Sequence, residues 1–189
     1  MNILLGCAVS LCAVFGASLT SKAGRGSFRA FATSPLLTQF PRRWRTRLAA
    51  AAVTAETAVL AGLVTCLFIP WWTTLRPSAL YVFIAAALLL ATFTVVIVMA
   101  LRRGDRAPCR CFGAAQEPLG SGHVARNLLL LTVAVVGGGT AALVEPAAVQ
   151  PAGALVATLA GLVGGLFAVR FDDLLHLMSP RPPRSSASP

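Results

Sequence analysis

Five uninterrupted apolar runs constrain this chain more than anything else in it. Crossing about 30 Å of hydrocarbon at about 1.5 Å per residue takes roughly 20 apolar residues. Stretches at about residues 2–20, 48–69, 79–101, 125–144 and 152–170 meet that length. The only charges in or at the ends of these stretches are Glu56, Arg126 and Arg170. Composition agrees: 57% of the 189 residues are hydrophobic and 12% are charged, against about 25% charged in a soluble domain. Disorder is excluded by the hydropathy. Nucleic-acid binding, which the net charge of +10 would otherwise suggest, does not go with so apolar a chain. The expectation is an all-α, polytopic transmembrane bundle of five spans, a four-helix core plus one, over residues 1–170. A Pro/Ser/Arg-rich tail over 171–189 reads as disordered.

No basic residue precedes the first run, and Leu4-Leu5-Gly6-Cys7 lies too near the start to be a lipoprotein box. The first run therefore reads as an uncleaved span. Short connections make hairpins of the second and third spans, through Ile69-Pro70-Trp71-Trp72, and of the fourth and fifth, through Glu145-Pro146. The tryptophans suit a headgroup belt. Ala157, Gly161 and Gly165 recur every fourth residue, a spacing that lets helices approach closely, and Gly137-Gly138-Gly139 can act likewise.

The basic residues cluster. Lys22, Arg25, Arg29, Arg42, Arg43, Arg45 and Arg47 fill the first loop, and Arg102, Arg103, Arg106 and Arg110 the third. Positive loops stay in the cytoplasm, so the N-terminus is expected outside and the C-terminus and third loop inside. The first loop is expected to lie on anionic membrane lipid.

Chemistry concentrates in Arg106-Ala107-Pro108-Cys109-Arg110-Cys111-Phe112-Gly113. Two cysteines one residue apart can pair where the backbone turns, and Pro108 and Gly113 favour a turn. The small ring is strained, and strained exposed disulfides are the labile ones. Arg106 and Arg110 favour the reactive thiolate. Cys109 and Cys111 are therefore read as a redox pair. Two other readings stand beside it: a metal held by Cys109, Cys111 and His123, which lacks a fourth ligand, and two small loop residues with no redox role. Cys7, Cys12 and Cys66 read as small hydrophobes, with Cys7 and Cys66 as a weak second pair.

Glu56 sits deep in the second span, where a carboxylate is costly and marks a functional site. It is expected to be protonated or paired with Arg126, Thr54 or Thr57, and to serve proton uptake or clamp helices. Arg126 is expected to snorkel to the headgroups, Asn127 to hydrogen-bond across helices, and His123 to be solvated or to shuttle protons.

Pro108-Cys109-Arg110-Cys111-Phe112-Gly113, with Glu117-Pro118-Leu119-Gly120 and Val124-Ala125-Arg126-Asn127-Leu128-Leu129 after it, resembles the signature stretch of the methylamine utilisation protein MauE family. That family is allied to the DoxX-like membrane proteins. The resemblance reaches back to Glu56 and Lys22 and covers about residues 1–170. It implies a bacterial multi-pass membrane protein that helps form or maintain disulfides in a partner, the small subunit of methylamine dehydrogenase, alongside a thioredoxin-like protein. Carried over by position, Cys109 and Cys111 are the redox pair, and Glu56, Arg126 and Asn127 are motif residues. A quinone is the electron carrier suggested by analogy with other membrane thiol oxidoreductases. The family role favours exchange on the outer face, where disulfides persist, whereas the charge bias puts the cysteine loop inside. A non-catalytic scaffold for the redox partner is the alternative function, and a small-solute transporter using Glu56 is a weaker one, since no paired discontinuous helices occur.

Overall fold

The computed structural model describes residues 2–68, 76–104, 120–143 and 150–171. Seven helices occur among them: α1 (Asn2–Lys22), α2 (Arg25–Ala32), α3 (Pro35–Thr38), α4 (Arg42–Phe68), α5 (Arg76–Arg102), α6 (Ser121–Leu143) and α7 (Pro151–Val169). Five of them, α1, α4, α5, α6 and α7, are long and apolar enough to cross a bilayer, so the chain is a multi-pass membrane protein. The Trp71-Trp72 and Glu145-Pro146 connections, Cys109, Cys111 and the tail beyond residue 171 lie outside the described residues.

Hydropathy located the spans, but helix-forming residues set their ends. α4 starts six residues before its apolar run because the arginines of Arg42–Arg47 are good helix formers. The first loop is also more ordered than its charge suggested. α2 turns Phe31 and Ala32 inward and leaves Arg25 and Arg29 exposed. The reversal from α1 into α2 passes through Gly24 at φ 105°, a conformation that costs glycine little. Pro35 starts α3, where its missing N–H would be unpaired anyway.

α1, α4, α5 and α6 close a ring: α1 packs on α4, α4 on α5, α5 on α6, and α6 back on α1. Residues near the start of α5 meet residues near the end of α6, Phe83 against Gly137 and Gly138, so these two run antiparallel. Gly62 of α4 meets Val82 of α5 in the same sense. The buried Phe83 ring fills the space that a Cβ on Gly137 would take. α7 stands outside the ring, against α1. Its contacts climb in step: Gly153 on Asn2, Ala157 on Gly6, Gly161 on Gly6 and Val9, Gly165 on Ser10 and Ala13. The two helices are therefore parallel. The expected Ala157/Gly161/Gly165 stripe is the surface that makes this contact. A Cβ on Gly165 would lie 2.8 Å from the Ala13 Cβ and 3.0 Å from the Ser10 carbonyl oxygen, so only glycine permits the approach.

These directions put the end of α1, α2, α3, the start of α4, the end of α5, the start of α6 and the end of α7 at one end of the bundle. The flanks of the Cys109/Cys111 segment, Gly104 and Gly120, belong to that end.

Candidate functional site

A helix buried among apolar neighbours has few ways to accommodate a charge. The side chain must pair, and its remaining hydrogen-bonding capacity must be met nearby. Glu56 is fully buried on α4, facing α1. On α1, Ser18 and Lys22 stand four residues apart and so share a face.

The three side chains form a closed triangle. Lys22 Nζ lies 2.5 Å from Glu56 Oε1 and donates to Ser18 Oγ at 2.9 Å. Ser18 Oγ in turn donates to Glu56 Oε2 at 3.2 Å. Both carboxylate oxygens are thereby engaged. The ammonium is also covered by aromatic faces, 4.8 Å from the Phe31 ring centroid on α2 and 5.6 Å from that of Phe93 on α5. A cation over such faces gains further attraction when desolvated. A compact ammonium with rotatable donors suits this cage, meeting Glu56 Oε1, Ser18 Oγ and both rings at once. Four elements, α1, α2, α4 and α5, converge on this one nitrogen.

Several expectations change here. The partner of Glu56 is Lys22, with Ser18, rather than Arg126, Thr54 or Thr57. The Thr54 and Thr57 hydroxyls are exposed and bond to carbonyls of their own helix, Ala50 and Val53 at 3.0 and 2.8 Å. Lys22, counted above among the loop cations, ends α1 with only 5% of its surface exposed. Arg126 does not snorkel: it is 1% exposed, since its position on α6 faces the ring interior. His123, expected in a solvated loop, lies buried in the first turn of α6.

His123, Arg126 and Asn127 occupy positions i, i+3 and i+4, one face of α6. That face is buried within the first two turns, at the same end of the bundle as the Lys22–Glu56 pair. Asn127 is fully buried, and neither its Oδ1 nor its Nδ2 makes a hydrogen bond. The expected cross-helix bond of Asn127 is therefore not made. Cys7, Cys12 and Cys66 are free thiols packed into or against the core, and Cys7 and Cys66 are not joined. Where the Cys109 and Cys111 side chains lie is outside the described residues.

Ser18, Phe31 and Phe93 were not singled out in the sequence. One signal was available: Lys22 is the only lysine among sixteen basic residues. It stands at i+4 from a serine at the end of an apolar run.

A protein-family model described as methylamine utilisation protein MauE matches residues 1–140, nearly all of α1 to α6 and none of α7. No curated protein and no solved structure matches the chain.

Proposed function

The chain belongs to the methylamine utilisation protein MauE family, and from that premise we propose that it is a membrane thiol–disulfide component serving the maturation of a disulfide-bearing partner. Cys109 and Cys111 are its exchanging pair. The thiolate of one attacks a partner disulfide and forms a mixed disulfide, releasing one partner thiolate. The other cysteine then attacks the mixed disulfide, leaving Cys109–Cys111 oxidised and the partner a dithiol. Run in reverse, the same exchange forms the partner's disulfide. A quinone is the carrier class that closes the cycle. It accepts two electrons and two protons from the dithiol and leaves as the quinol.

The observation that carries this reading is the placement of the segment's flanks. Gly104 and Gly120 lie at the end of the bundle where Lys22, Glu56, Ser18, His123, Arg126 and Asn127 are gathered. The segment that carries the cysteine pair leaves and re-enters the described residues at that end. The charge bias places this end in the cytoplasm. The family name points to methylamine utilisation, so a methylamine dehydrogenase subunit and a thioredoxin-like protein are the partners proposed.

Replacing Cys109 and Cys111 by serine tests the reading. Partner maturation should stop in the double variant, and one single variant should trap a mixed disulfide. Full maturation in the double variant would sink the redox role. It would leave a scaffold, the second reading, which the fully engaged Lys22–Glu56 clamp favours. Impermeant thiol labelling of Cys109 and Cys111 should succeed in inverted vesicles and fail in intact cells; the opposite pattern reverses the topology. A transporter coupled through Glu56 is less favoured, because both carboxylate oxygens are already bonded.

A further inference from the structure

The same end of the bundle carries a strong positive charge that the thiol chemistry does not use. Among the described residues Glu56 is the only acidic side chain, and Lys22 neutralises it. The exposed arginines of α2 and of the first turns of α4 therefore have no carboxylate near them among those residues. Arg25 and Arg29 are exposed at i and i+4 of α2, whose other side is pinned by Phe31. α4 then projects Arg42, Arg43, Arg45 and Arg47 before its apolar run begins at Leu48.

The geometry of that projection identifies what it meets. At about 100° per residue, the arginines at 42, 43, 45 and 47 leave the helix at about 0°, 100°, 300° and 140°. They spread over about 200° of the helix surface, and the three exposed ones, Arg42, Arg43 and Arg47, over about 140°. They emerge at the start of a helix long and apolar enough to cross a bilayer, the level at which anionic headgroups attract basic side chains. The six residues Arg42–Arg47 span about 9 Å, close to the depth of one polar headgroup region. Trp44, 46% exposed, leaves the helix at about 200°, in the sector between Arg47 and Arg45, with the Arg47 guanidinium 5.7 Å from its ring centroid. Tryptophan beside arginine at the start of a span is an interfacial anchor.

We propose that the elbow formed by α2 and the first turns of α4 is a binding site for anionic phospholipid, held through the phosphodiester headgroup. Its reach extends inward. Lipid that holds α2 against the bundle also holds Phe31 over Lys22, so the charge of the membrane surface helps keep the Lys22–Glu56 pair dry.

The test uses the full chain in nanodiscs, with Trp44 as sole tryptophan in a Trp71→Phe/Trp72→Phe background. Energy transfer from Trp44 to a dansyl-labelled phosphatidylglycerol is measured in a phosphatidylcholine matrix. Arg42→Gln/Arg43→Gln/Arg47→Gln is the variant, since all three are exposed. Arg45 stays, because its Nε bonds the Phe40 carbonyl at 3.0 Å. Each basic residue near an anionic surface is worth about fivefold, so the triple variant should bind the anionic lipid at least tenfold more weakly. The triple lysine variant should restore binding, and raised salt should weaken it. Equal transfer to labelled phosphatidylcholine, or an unchanged affinity in the glutamine variant, would overturn the proposal. So would displacement by soluble glycerol phosphate at matched concentration, which would mark a free-phosphate site, or an acidic protein binding this end with no lipid preference.

Discussion

Removing Lys22 and Glu56 singly and together measures what the buried triangle contributes. With charge centres roughly 3–4 Å apart and an effective dielectric of about 20, the pair attracts by about 4 kcal/mol. Most of this offsets the cost of taking both ions out of water, so the intact pair adds little net stability. Losing one partner is different. Lys22→Met leaves the Glu56 carboxylate with a single serine hydroxyl, and breaking such a pair costs about 3–5 kcal/mol. Proton uptake by Glu56 relieves part of that cost, which sets the expected loss near 3 kcal/mol. Glu56→Gln should cost less, about 1–2 kcal/mol, because the amide oxygen still accepts from Lys22 and the ammonium keeps Ser18 and the two aromatic faces. Lys22→Met/Glu56→Leu, which removes both charges, should return to within about 1 kcal/mol of the native chain. The assay is reversible unfolding by sodium dodecyl sulfate in mixed micelles, run as a double-mutant cycle with Lys22→Met and Glu56→Leu as the single variants. A coupling of about 2–4 kcal/mol is expected, with little dependence on salt because both groups are buried. A coupling below about 0.5 kcal/mol, or a double variant as unstable as the sum of the singles, would refute the argument. Partner maturation in the restabilised double variant then separates a clamp from a chemical role.

Asn127→Leu removes two buried polar atoms that make no hydrogen bond. It should raise stability by about 1–3 kcal/mol in the same unfolding assay, and a fall would show that the amide has a partner in the working protein. Gly137→Ala should destabilise the chain by about 1–3 kcal/mol through the Phe83 ring, and Phe83→Leu in the same chain should recover most of the loss. Gly165→Leu should detach α7 from α1 while leaving the α1/α4/α5/α6 ring in place. Proteolysis would then cut the chain between α6 and α7 and spare the ring, whereas loss of the whole bundle would show that α7 is integral to it.

The architecture was largely legible because a bilayer imposes a length that apolar runs reveal directly. The Ala157/Gly161/Gly165 stripe was legible for a similar reason: close helix approach demands small side chains at a helical period. The site was less so. Glu56 stood out as a charge where charge is costly, but its partner lies 34 residues away, beyond any local pattern. Lys22 sits just past the hydropathy boundary of its span, so charge counting placed it with the loop arginines, although the helix carries it inward. Arg126 looked free to reach the headgroups because sequence does not say which way α6 is turned. The order in α2 and α3 depends on Phe31, Leu36 and Leu37 finding a core surface, which no local property of a basic loop announces.

The parallel pairing of α7 with α1 has a practical consequence. A ring of four alternating spans begins and finishes on one side of the bilayer; the fifth span carries the chain back across. Arg170 therefore emerges in the compartment that faces Gly104 and Gly120, opposite Asn2. A compartment-sensitive reporter enzyme fused after Arg170 would identify the compartment that Gly104 and Gly120 face without altering the segment between them. The same fusion made after Leu143 would report the other side.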